Sequence, residues 1–330
     1  MRFANGRDIM RMDPRGALVA LTIAALLGCA TNPGSATTER VGDATPRDHA
    51  ADLLRPSSSR VTLGRLLFHD KRVSRNRDAA CSGCHALSKF GVDGKPAGGG
   101  AGAPGEAPNT PRVFNTQAHV AQIWDARVPD AQVQTIDIAL AEALGRVPRY
   151  TDLFRNAFPN DERAISLKNV SEALEVFERG LVGNSRWDKF SAGDVSALTL
   201  EEKNGLRVFL ESGCVACHTG PQVGGAMYQE VGIAYPWPKQ KDARPPGGSD
   251  SIAARLILRV PSLKNIAESA PYFHDSSTSN LEAAIRLMGH HQLGVELSND
   301  DVNAIAAWMR SLSGDVDPAY IAVPDLPPEG

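Results

Sequence analysis

The segments "CSGCH" (Cys81–His85) and "CVACH" (Cys214–His218) decide the fold of this chain. The chain has five cysteines, and four of them lie in these two C-x-x-C-H segments. In this motif both thiols form thioether bonds to a c-type haem, and the following histidine binds the iron. Two disulfide bonds or a zinc site are the alternatives, although a four-cysteine zinc site would leave both histidines unexplained. The predicted haem-attachment residues are Cys81, Cys84, Cys214 and Cys217, and the predicted iron ligands are His85 and His218.

Helical periodicity dominates the rest of the chain, and no alternation of polar and apolar residues is long enough to predict a sheet. Each haem motif follows a predicted helix and precedes an irregular stretch, so one plan occurs twice. We predict a mainly α fold of two cytochrome c-like domains, each with one covalently bound haem and with long loops between helices. The predicted helices begin at Leu63 (with Ser59 or Thr62 as cap), Val170, Leu198 (with Thr199 as cap), Asn280 and Asn299.

The N-terminus has the pattern of an export signal. Arginines precede the apolar run "ALVALTIAALLGCA" (17–30), which is too short to span a bilayer as a permanent helix. The "LLGC" at its end resembles a bacterial lipobox, which predicts lipidation of Cys29; an ordinary signal peptide that contains a cysteine is the alternative. We predict a signal peptide over 1–28, a flexible tether over 29–60, an N-terminal haem domain over 61–187 and a C-terminal haem domain over 188–330.

The charge of the chain limits its partners. The formal net charge of −3 is too close to neutral to indicate binding to nucleic acid or to an anionic membrane surface. The export signal predicts a periplasmic protein. Together with this charge, it predicts that the protein contacts the membrane only through its N-terminal lipid anchor.

The two irons differ in the sixth ligands that the sequence offers. A cytochrome c domain ordinarily completes its iron with a methionine from well downstream of the motif, and Met288 is so placed for the second haem. Alternatives for this ligand are Met227, Met309, His290 and His291. Between His85 and the second motif there is no methionine, and His119 is the only histidine. Upstream, His69 lies on a predicted helix, where packing or surface exposure accounts for it. The first iron is therefore predicted to have an open coordination position.

Ordered motifs from about Val61 to Gly314 resemble the bacterial di-haem cytochrome c peroxidases and the related MauG enzymes. The matching stretches are "LGRLLFHDKRVS", "CSGCH", "NTPRVFN", "IWDAR", "FERGLVGNSRWDKFSAGD", "GLRVFLESGCVACHTGP", "VPSLKN", "APYFHD", and "LEAAIRLM" followed by "QLG". The resemblance implies a peroxidase that reduces hydrogen peroxide to water with electrons from a small c-type cytochrome or cupredoxin. Members are commonly homodimers, so it also implies a homodimer.

The resemblance also implies roles for individual residues. His85 would be the proximal ligand of the low-potential, peroxide-reacting haem, and His218 with Met288 would ligate the high-potential haem. Trp124 of "IWDAR" resembles a tryptophan that carries electrons between the haems, although a core aromatic is the alternative. Glu142 resembles the distal acid–base glutamate, with Gln134 or Gln132 as its companion amide; a solvated helix residue is the alternative for Glu142.

A calcium ion between the haems is implied in the same way. Its predicted ligands are Asn109 and backbone carbonyl groups near Ser269 and Pro271, oxygen ligands of the kind that calcium prefers. The residues alone would not have indicated this site, because few charged groups are involved.

One departure from the family pattern concerns the first iron. Many members carry a histidine in the loop after the first haem that blocks the iron until the other haem is reduced, and Ala101 occupies that position here. We therefore expect an iron that is open without reductive activation, as in the MauG branch. Unlike MauG, the second haem keeps a methionine instead of a tyrosine. A MauG-like oxidase of a protein or organic substrate, and a non-catalytic di-haem electron carrier that uses His69 or His119, are the alternatives.

Overall fold

The computed structural model describes residues 58–74, 77–95, 109–116, 143–238 and 257–328. Within these ranges the structure is mainly helical, as predicted. No described helix is long and apolar enough to cross a bilayer. The helices are α1 (Ser59–His69), α2 (Cys81–Cys84), α3 (Pro148–Ala157), α4 (Leu167–Arg179), α5 (Arg186–Ser191), α6 (Leu200–Glu211), α7 (Leu281–Met288), α8 (Asn299–Arg310) and α9 (Pro318–Ile321). The described strands form two short antiparallel pairs, β1 (Asn184–Ser185) with β4 (Gly314–Asp315) and β2 (Tyr228–Glu230) with β3 (Ile257–Arg259).

Side-chain caps set where the helices begin. Thr199 caps α6 as predicted, and Glu202 completes a capping box by accepting a hydrogen bond from the Thr199 backbone N–H. Two predicted helix starts, Leu63 for α1 and Val170 for α4, were wrong by about one turn. Ser58 caps α1 and Ser166 caps α4, because each hydroxyl accepts a hydrogen bond from a backbone N–H of the first turn.

A first hydrophobic core forms where α1 packs against α4. A side chain at Gly64 of α1 would place its Cβ 2.0 Å from the Ala173 carbonyl oxygen, so only glycine allows this approach. One turn further on, the Phe68 and Phe177 rings meet at 5.4 Å. The remaining fully buried side chains of this core include Leu63, Leu67, Leu144, Tyr150, Phe154 and Leu181.

A second core forms in the same way where α6 packs against α8. A Cβ at Gly205 would lie 1.9 Å from the Ala304 carbonyl oxygen. One turn along, the Phe209 and Trp308 rings are 4.5 Å apart, and both side chains are buried. This core therefore repeats the glycine-centred helix crossing of the first.

The chain crosses between the two cores more than once. Trp187, which follows β1, packs edge-on against Trp308 in the second core. After α8, β4 pairs with β1, and α9 returns to the first core, where the Tyr320 hydroxyl donates to the Phe177 carbonyl at 2.8 Å. The predicted domain limits 61–187 and 188–330 stay a prediction, and the residues near both limits pack with the other half.

Replacing Gly205 with alanine should weaken the second core, because the methyl group overlaps the backbone of α8. We expect Gly205→Ala to lower the free energy of unfolding by about 1–3 kcal/mol, as overpacking does, measured by chemical denaturation of the haem-loaded protein. Gly145→Ala is the control, because a Cβ there would make only an ordinary contact of 3.7 Å with Ile165. Equal stability of the two variants would contradict the tight crossing.

Candidate haem sites

The four haem-motif cysteines are free thiols in the structure. Cys81 and Cys84 form the ends of α2, and Cys214 begins a 3₁₀ turn directly after α6. Burial raises the pKa of Cys81 to about 12 and that of Cys214 to about 11, so both are neutral thiols in this protein environment. The disulfide bonds considered as an alternative are not formed among these described cysteines.

The second motif opens into a mainly apolar cavity. Cys214, Cys217 and His218 line it, together with Met288 of α7 and Met309 of α8. Much of the remaining wall is aliphatic, including Leu258, Val260, Leu263, Leu281, Ile285 and Ile305. These residues fit a c-type haem, because they combine two thiols for attachment, an imidazole, a thioether and apolar surfaces for a flat macrocycle.

His218 is suited to binding a metal ion. Burial lowers the pKa of His218 to about 4, against smaller opposing effects of the Val223 and Pro261 backbone, so the ring is neutral at neutral pH. Its Nδ1 atom is buried without a hydrogen bond of normal geometry. A neutral imidazole is the form that binds iron.

The structure separates the methionine candidates for the second iron. Met288 and Met309 line the cavity with His218, whereas Met227 is not part of the wall among the described residues. The Met227 backbone instead accepts a hydrogen bond from Val260. Met309 is also buried in the second core, in agreement with a packing role. Met288 stays the predicted ligand.

The two histidines after α7 have other partners. His290 Nδ1 lies 2.5 Å from a carboxylate oxygen of Glu296, and its ring stacks on Tyr235 at 4.6 Å. His291 Nδ1 lies 3.0 Å from the Tyr235 carbonyl oxygen and its ring packs against Trp237. These contacts occupy one nitrogen of each ring in the π-helical turn Gly289–Leu293.

His85 follows α2 and is oriented by the loop behind it. Its Nδ1 atom lies 3.2 Å from the Gly91 carbonyl oxygen. If Nδ1 carries the proton, this contact leaves Nε2 free to bind a metal. Burial lowers the pKa of His85, while the Gly91 carbonyl and the charge of Asp93 act in the opposite direction. The neutral ring agrees with the predicted role of His85 as an iron ligand.

His69, the upstream histidine, lies at the end of α1. Its ring meets Phe68 edge-on at 5.5 Å, and its Nε2 atom is buried without a hydrogen-bond partner. Burial lowers the pKa of His69, and the nearby charge of Arg65 adds to this effect. The other predicted residues of the first site and of the anchor lie outside the described residues, namely Cys29, Ala101, His119, Trp124, Gln132, Gln134 and Glu142.

The three predicted calcium residues, Asn109, Ser269 and Pro271, all line the same cavity. The Asn109 side-chain amide donates to the carbonyl oxygens of Pro271 at 2.7 Å and Phe273 at 3.0 Å. The Ser269 hydroxyl, which was not a predicted ligand, donates to the Ile266 carbonyl. The calcium site stays a prediction. What the structure shows is that several backbone carbonyl groups lie around Asn109.

The cavity at the second haem motif is called the second cavity below. Two residues of its wall, Arg112 and Arg259, were not predicted from the sequence as site residues. Both lie within or beside motifs quoted above, "NTPRVFN" and "VPSLKN". The available signal was a single charged residue inside an apolar stretch, "ILRVP" for Arg259. Such a residue is buried only with a partner, which sequence periodicity alone does not identify.

Comparison with known proteins agrees with this geometry. Residues 58–196 match the family model for di-haem cytochrome c peroxidase, and residues 202–313 match that for cytochrome c. The cytochrome c551 peroxidase of Pseudomonas aeruginosa is 34% identical over 301 residues, covering 81% of this chain and 86% of that protein. The methylamine utilization protein MauG of Methylorubrum extorquens is 30% identical over 298 residues, covering 81% of each chain.

A solved structure shows the same fold. A MauG-like protein associated with microbial copper homeostasis superposes with a TM-score of 0.67 at 23% identity, covering 81% of this chain and 93% of that chain. The two family matches and this superposition confirm the predicted pair of cytochrome c-type domains, and these families imply two c-type haems. The chain belongs to the di-haem cytochrome c peroxidase and MauG family.

Proposed function

We propose that this protein reduces hydrogen peroxide to water in the periplasm, with electrons from a small c-type cytochrome or cupredoxin. The observation that carries the proposal is the unequal ligand supply of the two haem motifs. His218 shares its cavity with Met288, whereas the sequence between His85 and the second motif has no methionine. The peroxidase names of relatives at 32–35% identity support the same reaction.

The second site is proposed to receive electrons. Cys214 and Cys217 would hold the haem, and His218 and Met288 would bind its iron. When bound, this group supplies one-electron redox chemistry, and a thioether ligand raises its potential. The mainly apolar wall would limit the access of water to the metal ligands. Trp124 is proposed to carry the electrons on to the first site.

The first site is proposed to be the place of peroxide reduction. His85 would hold the iron from one side, and Glu142, with Gln134 or Gln132, would act on the peroxide from the other. Glu142 would move a proton from one peroxide oxygen to the other, so that the oxygen–oxygen bond breaks as water leaves. Two electrons and two protons complete the conversion of one peroxide into two waters.

Further features of the proposal come from the family and from the N-terminus. A calcium ion at Asn109, near Ser269 and Pro271, would hold the segment between the sites. Lipidation at Cys29 would retain the protein at a membrane, and two copies would form a homodimer. An oxidase of a protein or organic substrate is the second candidate, favoured by the 30% identity to MauG; the methionine at 288 favours the peroxidase.

The first prediction of this proposal concerns activation. Because Ala101 carries no imidazole, we expect the untreated oxidised protein to show a high-spin ferric haem and to turn over peroxide without pre-reduction. Ala101→His should introduce a blocking ligand and make activity depend on pre-reduction, whereas Ala101→Leu should not. Electron paramagnetic resonance and peroxide-dependent oxidation of a reduced cytochrome measure these effects. Two low-spin haems in the untreated protein would overturn the open site.

A second prediction separates the two methionines of the second cavity. We expect Met288→Leu to remove the thioether ligand, shift the redox equilibrium of this haem by more than about tenfold, and slow oxidation of the donor. Met309→Leu is the matched control, because Met309 lines the same cavity but packs in the core. Potentiometric titration measures both variants. A larger shift for Met309→Leu would assign the ligand to Met309.

A third prediction tests the proton carrier. Glu142→Gln keeps the size of the side chain but removes its acid–base function, so we expect peroxide cleavage to slow by about 10²–10⁴-fold. Both haem spectra and the reduction potentials should be unchanged. Stopped-flow absorption after mixing with peroxide measures the rate. Asp137→Asn is the control, because it removes a carboxylate that lies close to Glu142 in the sequence. Unchanged kinetics in Glu142→Gln would remove this residue from the site.

A further inference from the structure

Two arginines lie in the wall of the second cavity, Arg259, which is buried, and Arg112, which is half-buried. Arg259, on β3, is 4% exposed and lies opposite Tyr228 of β2. Arg112 comes from the segment 109–116, which follows the first haem motif in the chain. Both side chains line the cavity that contains His218 and Met288.

The two guanidinium groups differ in their hydrogen bonds. Arg112 donates to the backbone carbonyl groups of Lys264 and Ser262 and to the Ser269 hydroxyl. These bonds hold Arg112 in place. In Arg259 the Nε and Nη1 atoms are buried and have no hydrogen-bond partner. Buried donors of this kind are normally paired. These two atoms therefore need an acceptor that the described residues do not provide.

The cavity also lacks negative charge. None of the described residues that line it is an aspartate or a glutamate. Burial, and then the positive charge of Arg259, lower the pKa of Arg112 to about 10, which still leaves it protonated at neutral pH. Two like charges, one buried and one half-buried, therefore share one cavity wall. An anion beside them would relieve their repulsion and would also accept the hydrogen bonds that Arg259 lacks.

We propose that Arg259, with Arg112 behind it, binds a carboxylate group of the haem in the second cavity and fixes the position of that haem. A haem carries two carboxylate side chains, and a guanidinium group forms strong, charge-assisted hydrogen bonds with a carboxylate. Nε and Nη1 of Arg259 are the donors that such an acceptor would satisfy. The inference depends on haem binding in this cavity, and it does not depend on peroxide being the substrate.

The same pair affects the redox properties of the site. Fixed positive charges in a medium of low dielectric constant favour the reduced iron, whose net charge is more negative by one. Arg112 comes from the first half of the chain and is held by carbonyl groups of the second half. Its charge therefore links the segment after the first haem motif to the potential of the second haem.

The test is the reduction potential of the second haem in the full-length, haem-loaded protein. We expect Arg259→Gln to favour the oxidised form about tenfold, which corresponds to about 59 mV for one electron. Arg259→Lys keeps the charge and should recover at least half of that shift. Arg207→Gln is the matched control, because Arg207 is an exposed arginine on α6 that pairs with Glu211. A shift in Arg259→Gln no larger than in Arg207→Gln would overturn the proposal.

A crystal structure of the haem-loaded wild-type protein decides the matter if Arg259→Gln fails to fold. A guanidinium nitrogen of Arg259 should lie about 3 Å from a haem carboxylate oxygen. Separation of Arg259 from both carboxylates by more than about 4 Å would overturn the proposal. Peroxide turnover is a separate measurement. Its absence, together with the expected shift in potential, would reject the proposed function and support this inference.

Discussion

The close crossing of two helices at a glycine is the constraint on which both haem sites depend. In each half, the helix before the haem motif has a glycine against an alanine carbonyl of its partner, Gly64 against Ala173 and Gly205 against Ala304. Four residues after each glycine, a phenylalanine meets an aromatic ring of the partner helix. The crossing fixes the end of the helix that precedes each motif, and in the second half Cys214 follows closely after α6. The duplicated plan is therefore a duplicated packing contact as well as a duplicated motif.

The second cavity combines a neutral imidazole with buried positive charge. His218 is neutral because burial disfavours its charged form. Arg112 and Arg259 keep their protons despite burial, since the pKa of a guanidinium group is far above neutral pH. A site with this composition favours a ligand that is apolar over most of its surface and anionic at one edge. A haem has that distribution, so the electrostatics and the cysteine chemistry indicate the same group independently.

The sequence predicts the parts of this structure that depend on local chemistry. The C-x-x-C-H spacing, the Thr199 cap and the position of Met288 at the end of α7 are all visible in single segments. Contacts between distant segments are not visible in this way. The hydrogen bonds from Arg112 to residues 150 or more positions away, and the return of Tyr320 to the first core, arise from tertiary packing. Helix starts were also misplaced where a serine one turn earlier provided the cap.

The two halves differ in the side chains and backbone groups that lie near their haem motifs. In the second half, α7 brings a thioether into the same cavity as His218. In the first half, the described segment after His85 brings the Gly91 carbonyl oxygen to 3.2 Å from the imidazole Nδ1 atom, and this contact orients the ring. The upstream alternative on the described helices, His69, is packed against Phe68 on α1. We therefore propose that one fold plan supports an electron-accepting site with His218 and Met288 as its ligands and a peroxide-reducing site at His85.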